Sequence, residues 1–149
     1  MQMLFRATLM SSLTLFLTAC EGPFFLMPGG ALSGTVSETP ASWQFEEASG
    51  LAQLETRPED PYSINLAYVQ LDGKLYVYAG NTRTTWVEHI ERNPLIRIRV
   101  GERIYSAVAV RVENEDEISE FAAQWAGRSV FQRDPMQFEE IWLYRVEVR

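Results

Sequence analysis

The sequence predicts a mainly β domain: a closed barrel of six to seven mostly antiparallel strands accompanied by two helices. Three observations carry that expectation. Short runs of period-two alternation recur from residue 31 onward, most clearly between Tyr62 and Gln70. An Asp72-Gly73 pair separates two such runs at hairpin spacing. Helical periodicity is confined to two segments, one stopped by Asn93-Pro94 and the other opened by Asn114. Closing the strands into a barrel removes exposed sheet edges.

The elements follow in order. Ala31 to Val36 reads as a first strand, ended before Pro40, and Leu51 to Thr56 as a second. Pro58 and Pro61 bracket a loop, because proline cannot donate to a ladder. Tyr62 to Gln70 places Tyr62, Ile64, Leu66 and Tyr68 on one face, with Ser63, Asn65 and Ala67 on the other. Asp72-Gly73 then turns the chain into a strand from Lys74 to Ala79, since both residues accept positive φ. Thr85 and Glu88 have capping-box spacing at the start of a short helix that turns Trp86 and Ile90 toward the barrel. Pro94 forces Asn93 out of helical geometry. Leu95 to Val100 points Ile96, Ile98 and Val100 inward and Arg97 and Arg99 outward. After Gly101, the strand from Arg103 to Val112 carries Ile104, Val108, Val110 and Val112 as its expected apolar face. Asn114 caps a helix with Glu115, Asp116 and Glu117 in its first turn, Ile118, Phe121, Ala122 and Trp125 on one side, and Gly127 at its end. Asp134-Pro135 lies in a loop before a final strand, Ile141 to Val148, with Trp142, Tyr144, Val146 and Val148 on a shared face.

A chain of 149 residues holds one domain with a real core. Its hydrophobic content of 46% and charged content of 22% are those of an ordinary globular protein. The formal charge of -7 argues against nucleic acid as a partner, because phosphate backbones are held by clustered Lys and Arg.

Residues 1–19 have the form of a secretory signal: Arg6, then an apolar run from Ala7 to Ala19, too short for a transmembrane helix. Leu17-Thr18-Ala19-Cys20 resembles the lipobox of bacterial lipoproteins at all four positions. That resemblance implies acylation of Cys20, the sole cysteine, and a partner in the membrane itself. It places the chain in the bacterial cell envelope, lipid-anchored and facing the periplasm, and Glu21 favours the outer membrane. Residues 20–30 are the acylated N-terminus and linker, closed by Pro28-Gly29-Gly30, and residues 31–149 the barrel. Within the linker, Phe24, Phe25, Leu26 and Met27 either cover the barrel floor, the reading favoured here, or dip into the membrane interface.

The Asp72-Gly73 hairpin, the Leu75-Tyr76-Val77 strand, Trp86 seven positions before Asn93, and Asn93-Pro94 together resemble the split β-barrel superfamily of flavin-binding proteins. Within it the likeness is to the deazaflavin-dependent nitroreductases and the pyridoxamine-phosphate-oxidase-like proteins. The resemblance spans about Leu51 to Val112. It implies an FMN-binding-like split barrel, often dimeric, in which Asn81, Thr82, Arg83, Thr84, Thr85 and Trp86 approach the phosphate end of FMN or a deazaflavin. Hydroxyls, helix N-terminal amides and a guanidinium are groups that hold phosphate. The activity implied is that of an oxidoreductase on a small planar acceptor. The alternative is a cofactorless lipoprotein that binds a ligand or partner and has no catalytic activity; no catalytic residue is assigned under either.

Other side chains lend themselves to plainer roles. His89 is the sole histidine, which excludes a multi-histidine metal site or a histidine-based triad, and it reads as a polar residue near a helix end. The adjacent pairs Glu46-Glu47 and Glu139-Glu140 point to different sides of any strand or helix and read as solvated faces. Tyr62, Tyr68, Tyr76, Tyr78 and Trp86 either fill the barrel, the preferred reading, or line a flat ligand site. Arg97 and Arg99 are expected to pair with acidic neighbours across the sheet or across a dimer interface.

Overall fold

The computed structural model describes residues 22–127 and 133–149, so the apolar leader, Cys20 and Glu21 lie outside the described residues. Seven strands and two helices run in the order β1 (Thr35–Ser37), β2 (Ser49–Thr56), β3 (Tyr62–Leu71), β4 (Lys74–Tyr78), α1 (Thr85–Arg92), β5 (Leu95–Val100), β6 (Arg103–Arg111), α2 (Glu115–Ala126) and β7 (Leu143–Val148), with one turn of 3-10 helix at Pro135–Gln137. Strands β6, β5, β2, β3, β4 and β7 are neighbours in that order, and β6 pairs again with β7. Six strands therefore close into a barrel. The seventh, β1, runs parallel to β6 at Arg103 to Tyr105, just before the stretch of β6, Ala107 to Arg111, that pairs with β7.

Local chemistry explains the best-defined turns. Asp72 and Gly73 both take positive φ, 49° and 75°, which is the geometry a two-residue hairpin between right-twisted strands requires. Asn114 accepts a hydrogen bond from the amide of Glu117 and so caps α2, while Gly127 stands at its C-terminus. The capping box expected at α1 does not form. Thr84, one residue earlier, is the N-cap, and its side chain makes no cap hydrogen bond.

Two apolar clusters lie on opposite sides of the barrel wall. The inner one contains Leu54, Leu75, Val77, Ile96, Ile98, Trp142, Tyr144 and Val146, closed at one end by Trp86, Val87 and Ile90 of α1. Trp43, with Phe45 packed against it, seals the other end. The outer cluster joins Phe121 of α2 to Val69, Tyr76, Val112 and Leu143 on the outside of β3, β4 and β7.

Two facing expectations and one strand boundary are corrected. In β6 the inward residues are Tyr105, Ala107 and Ala109, the opposite parity from the expected valines, because small side chains fit beside the rings that fill the interior. Only Ser37 and its two predecessors form β1, and Leu32 is instead pinned to the wall by side chains. Phe24 to Met27 do not cover the barrel: they are exposed to between 60% and 96%.

Candidate functional site

Asn81, Thr82, Arg83, Thr84, Thr85 and Trp86 form the loop that leaves β4 and the first turn of α1. The ladder between β4 and β7 continues just past both strands, the amide of Ala79 donating to the Trp142 carbonyl and that of Trp142 to Gly80, each at 2.9 Å. These bonds fix the start of the loop against Trp142. Asn81, Thr82, Arg83 and Thr85 are exposed, whereas Trp86 is buried and meets the Tyr144 ring edge-on at 5.8 Å. Trp86 is thus a barrel residue that carries the loop rather than an open face for a ligand.

Around Arg83 the polar groups are unevenly satisfied. Its guanidinium lies 5.6 Å from the centre of the Trp142 ring, and that of Arg111 lies 3.9 Å from the same ring. Arg111 is neutralised by Glu140 at 3.5 Å and Glu91 at 3.9 Å. Among the described residues no carboxylate pairs with Arg83. The Thr84 hydroxyl and the Trp142 indole N–H are both buried, without a hydrogen-bond partner among the described residues. Buried donors are nearly always satisfied, so two unsatisfied ones beside an unpaired cation mark a place that a negatively charged group suits. Below them, burial and a 2.7 Å hydrogen bond to Glu91 keep the Tyr144 phenol protonated far above neutral pH.

The other sequence candidates have structural partners. His89 is buried on α1, with Nδ1 2.9 Å from the Thr56 hydroxyl and its ring against Tyr62. Since that hydroxyl donates to the Tyr62 carbonyl at 3.3 Å, His89 Nδ1 acts as the donor to Thr56. Burial, then the charges of Arg57 and Arg92, lower its pKa. Glu55 and Arg97, opposite each other on β2 and β5, form a two-armed pair, Nε to Oε1 at 2.7 Å and a second nitrogen to Oε2. Arg99 lies opposite Gln53 and bonds to it at 3.3 Å, to Glu102 at 3.4 Å and to the Gly101 carbonyl. The expected pairing with an acid across the sheet holds for Arg97; Arg99 faces the neutral Gln53 across the sheet and finds its acid, Glu102, in the turn that follows its own strand.

The five aromatics do not converge. Tyr62, Tyr68 and Trp86 face the barrel, while strand parity sends Tyr76 and Tyr78 outward beneath Phe121 and Trp125. Sequence reading missed Trp43 and Phe45, which follow Pro40 in a loop without periodicity. Trp43 donates its indole N–H to the Val146 carbonyl, and the Phe45 amide bonds the Gln70 side chain. Their outer side borders a groove of about 960 Å³ lined by Tyr105, Glu38, Glu46, Glu102 and Arg103 as well. A smaller groove of about 190 Å³ lies beside His89, between Arg57 and Arg92.

No protein-family model matches the sequence, and no curated protein matches it significantly. Solved structures do. The chain is similar in fold to an F420-H2-dependent reductase, with 14% identity, a TM-score of 0.55, and coverage of 77% of this chain and 100% of that one. A candidate pyridoxamine 5'-phosphate oxidase of Listeria innocua aligns at 13% identity and a TM-score of 0.53, over 66% of this chain and 83% of its own. A third, described as a domain-swapped dimer, aligns at 15% identity and 0.54, covering 65% and 79%. The fold is accordingly the mainly β split barrel, six strands closed and one added, with two helices.

Proposed function

We propose that this protein is a lipid-anchored component of the bacterial cell envelope whose split barrel is a flavin-reductase-like domain. It would hold the phosphate end of FMN or a deazaflavin at Asn81 to Trp86 and act as an oxidoreductase on a small planar acceptor. The observation that carries the reading is the Arg83 cation at the start of α1, unpaired among the described residues, beside two buried donors, Thr84 Oγ1 and Trp142 Nε1, that have no partner among them either.

The residues fit a phosphate in kind. Arg83 supplies charge, the exposed Thr82 and Thr85 supply hydroxyls, and the first amides of α1 have no partner within the helix. When bound, the ring of the cofactor would supply the hydride chemistry. The chain's own part is to orient it: Trp86 and the bonds to Trp142 hold the loop, and Arg111, engaged by Glu91 and Glu140, keeps the Trp142 ring in place. That one structural neighbour is a domain-swapped dimer supports a homodimer in this reading.

Anchoring rests on the Leu17-Thr18-Ala19-Cys20 sequence. Cys20→Ser should remove the acyl group and move the protein from the membrane fraction to the soluble one. For the cofactor, the test is the visible spectrum of the purified chain, as isolated and during titration with FMN and with a deazaflavin. Saturable binding of either supports the reading; no band and no binding sink it.

A second reading has its own observation. The five aromatics are committed to packing on two sides of the wall, and the largest groove described above is acidic and lies at the opposite end of β7 from Arg83. On that reading the barrel binds a ligand or partner there without a cofactor. It gains if the titrations fail while substitutions lining the Trp43 groove alter binding to envelope extracts.

A further inference from the structure

The turn formed by Phe24 to Met27 has its backbone fastened and its side chains exposed, the Phe24 and Phe25 rings meeting edge-on at 5.4 Å. Phe24 and Met27 exchange both backbone hydrogen bonds, at 3.1 and 2.9 Å. Asn65 of β3 donates its side-chain amide to the Phe25 carbonyl at 2.9 Å and to that of Pro23 at 3.4 Å. Gly29 exchanges two backbone bonds of 2.9 Å with Ser63. The segment also folds back so closely that a Cβ at Gly29 would lie 2.3 Å from the Gly22 carbonyl carbon. A little further on, the amide of Leu32 is held by Glu55 and its carbonyl by Arg97. Polar groups of the barrel wall thus stitch down the backbone between Pro23 and Leu32.

The side chains go the other way. Relative exposures are 60% for Phe24, 80% for Phe25, 96% for Leu26 and 62% for Met27. Exposed apolar side chains scattered singly need no explanation, but four consecutive ones at a turn do. Phe25 also takes a φ of 54°, the left-handed region that glycine favours and a bulky aromatic seldom occupies. Such an outlier persists only where the surroundings impose it, and here they impose a conformation that displays the ring.

Chain position says what the display faces. Phe24 is four residues after Cys20, and the apolar run from Ala7 to Ala19 comes immediately before that cysteine. At no more than about 3.6 Å per residue, an anchor at Cys20 keeps the start of the turn within about 14 Å, and its end within about 25 Å, of the bilayer surface. We infer that the Phe24 to Met27 turn is a lipid-inserting keel: its side chains enter the membrane interface beside the anchor and fix the orientation of the barrel on the bilayer. Polar stitching from Asn65 and Ser63 ties the keel to the barrel wall, so the membrane reads the orientation of the whole domain rather than that of a loose tether. The inference rests on the anchoring proposed above, and its test separates the two.

The full chain carrying Leu26→Cys, reconstituted in vesicles of phosphatidylethanolamine and phosphatidylglycerol, takes a nitroxide spin label at position 26. A second preparation carries the label at Glu139→Cys. Because Leu26 is almost fully exposed, the substitution leaves the fold intact. Insertion predicts that the label at 26 collides with oxygen more, and with a water-soluble nickel chelate less, than the label at 139. An apolar side chain sunk about 5–10 Å into the interface should raise the oxygen-to-nickel ratio by roughly fivefold over that control. Phe25→Gly, which suits the backbone but removes the ring, should lower the ratio at position 26. Equal ratios at 26 and 139 overturn the keel, and so does shielding from both reagents with spin–spin broadening, which means a second copy covers the turn. Cys20 is read independently by the number of labels taken up. Uptake of a second label there overturns the lipid anchor alone, and the keel is then decided by the same ratio in a Cys20→Ser chain mixed with the vesicles.

Discussion

Two arginines on this molecule sit in opposite circumstances. Arg97, on the outer wall at β5, is clasped by the buried carboxylate of Glu55 and also holds the Leu32 carbonyl, so both its charge and its geometry belong to the structure. Arg83, at the mouth beside α1, lies over Trp142 with no carboxylate partner among the described residues and with unsatisfied donors for neighbours. The lesson is that arginine count says little about an acidic protein's ligands. What matters is which guanidinium the fold has left unneutralised.

The largest effect should come from the clasped arginine. Arg97→Ala leaves Glu55, whose side chain is only 5% exposed, as a buried charge without its partner. A loss of about 3 kcal/mol is expected, the low end for a broken buried pair because Arg97 itself is partly exposed. The urea midpoint measures it, and Arg97→Met combined with Glu55→Leu should recover most of the loss. Arg83→Ala should do the reverse. Stability should change by no more than about 0.5 kcal/mol, while FMN or deazaflavin affinity falls by about 1.5–3 kcal/mol, the worth of a charged hydrogen bond. If the Arg83 variant unfolds as readily as the Arg97 one, the contrast between the two sites is gone.

A smaller effect belongs to the outer network. Burial alone would raise the Glu117 pKa, but hydrogen bonds from Arg145 and Tyr76, with the charges of Arg145 and Lys74, hold it below its ordinary 4.5. Its contribution is therefore complete above that value and lost as pH falls through the lower folded pKa. Glu117→Gln should cost on the order of 1–2 kcal/mol at neutral pH and flatten the acid limb of the stability curve. Circular dichroism across an acid titration is the measurement.

The smallest concerns His89. Its folded pKa lies below the ordinary 6.5, so between the two values the unfolded chain binds more protons and stability rises with pH. Stability should be complete above 6.5 and decline as pH falls below it. His89→Gln should remove that slope, with melting temperature against pH as the readout; an unchanged slope assigns the pH dependence elsewhere.

Much of the fold was legible because its signals are local. Asp72-Gly73, Asn93-Pro94 and the Asn114 cap each act through the φ and ψ of one or two residues, and all three elements stand where they were expected. Parity was less legible. In β6 both faces are apolar, so alternation alone could not say that Ala107 and Ala109 face in; the volume of neighbouring rings made that choice. Tyr76 and Tyr78 mislead in the same way, since aromatic character is compatible with either side of a wall covered on both. The capping-box spacing at Thr85 was one residue out of phase with the actual N-cap. Trp43 and Phe45 carried no signal beyond being aromatic in a loop. At the candidate site, the sequence could nominate Asn81 to Trp86 but could not show that Trp142, some sixty residues later, lies beside them.

By itself, the sequence determined the things that neighbouring residues decide: a β-rich chain, the hairpin, the stops and caps of the helices, and an apolar leader ending at a cysteine. Tertiary structure decided what depends on residues far apart. It put Glu55 opposite Arg97, forty-two positions away, and so removed that cation from the surface chemistry. It left Arg83 without an acid partner among the described residues, and it set Phe24 to Met27 outward on a turn whose Phe25 carbonyl is held by Asn65. The physical reason is the same in each case. Backbone preference is set within a turn or two of chain, whereas the neutralisation of a charge and the burial of a ring are set by whichever strand the register brings alongside.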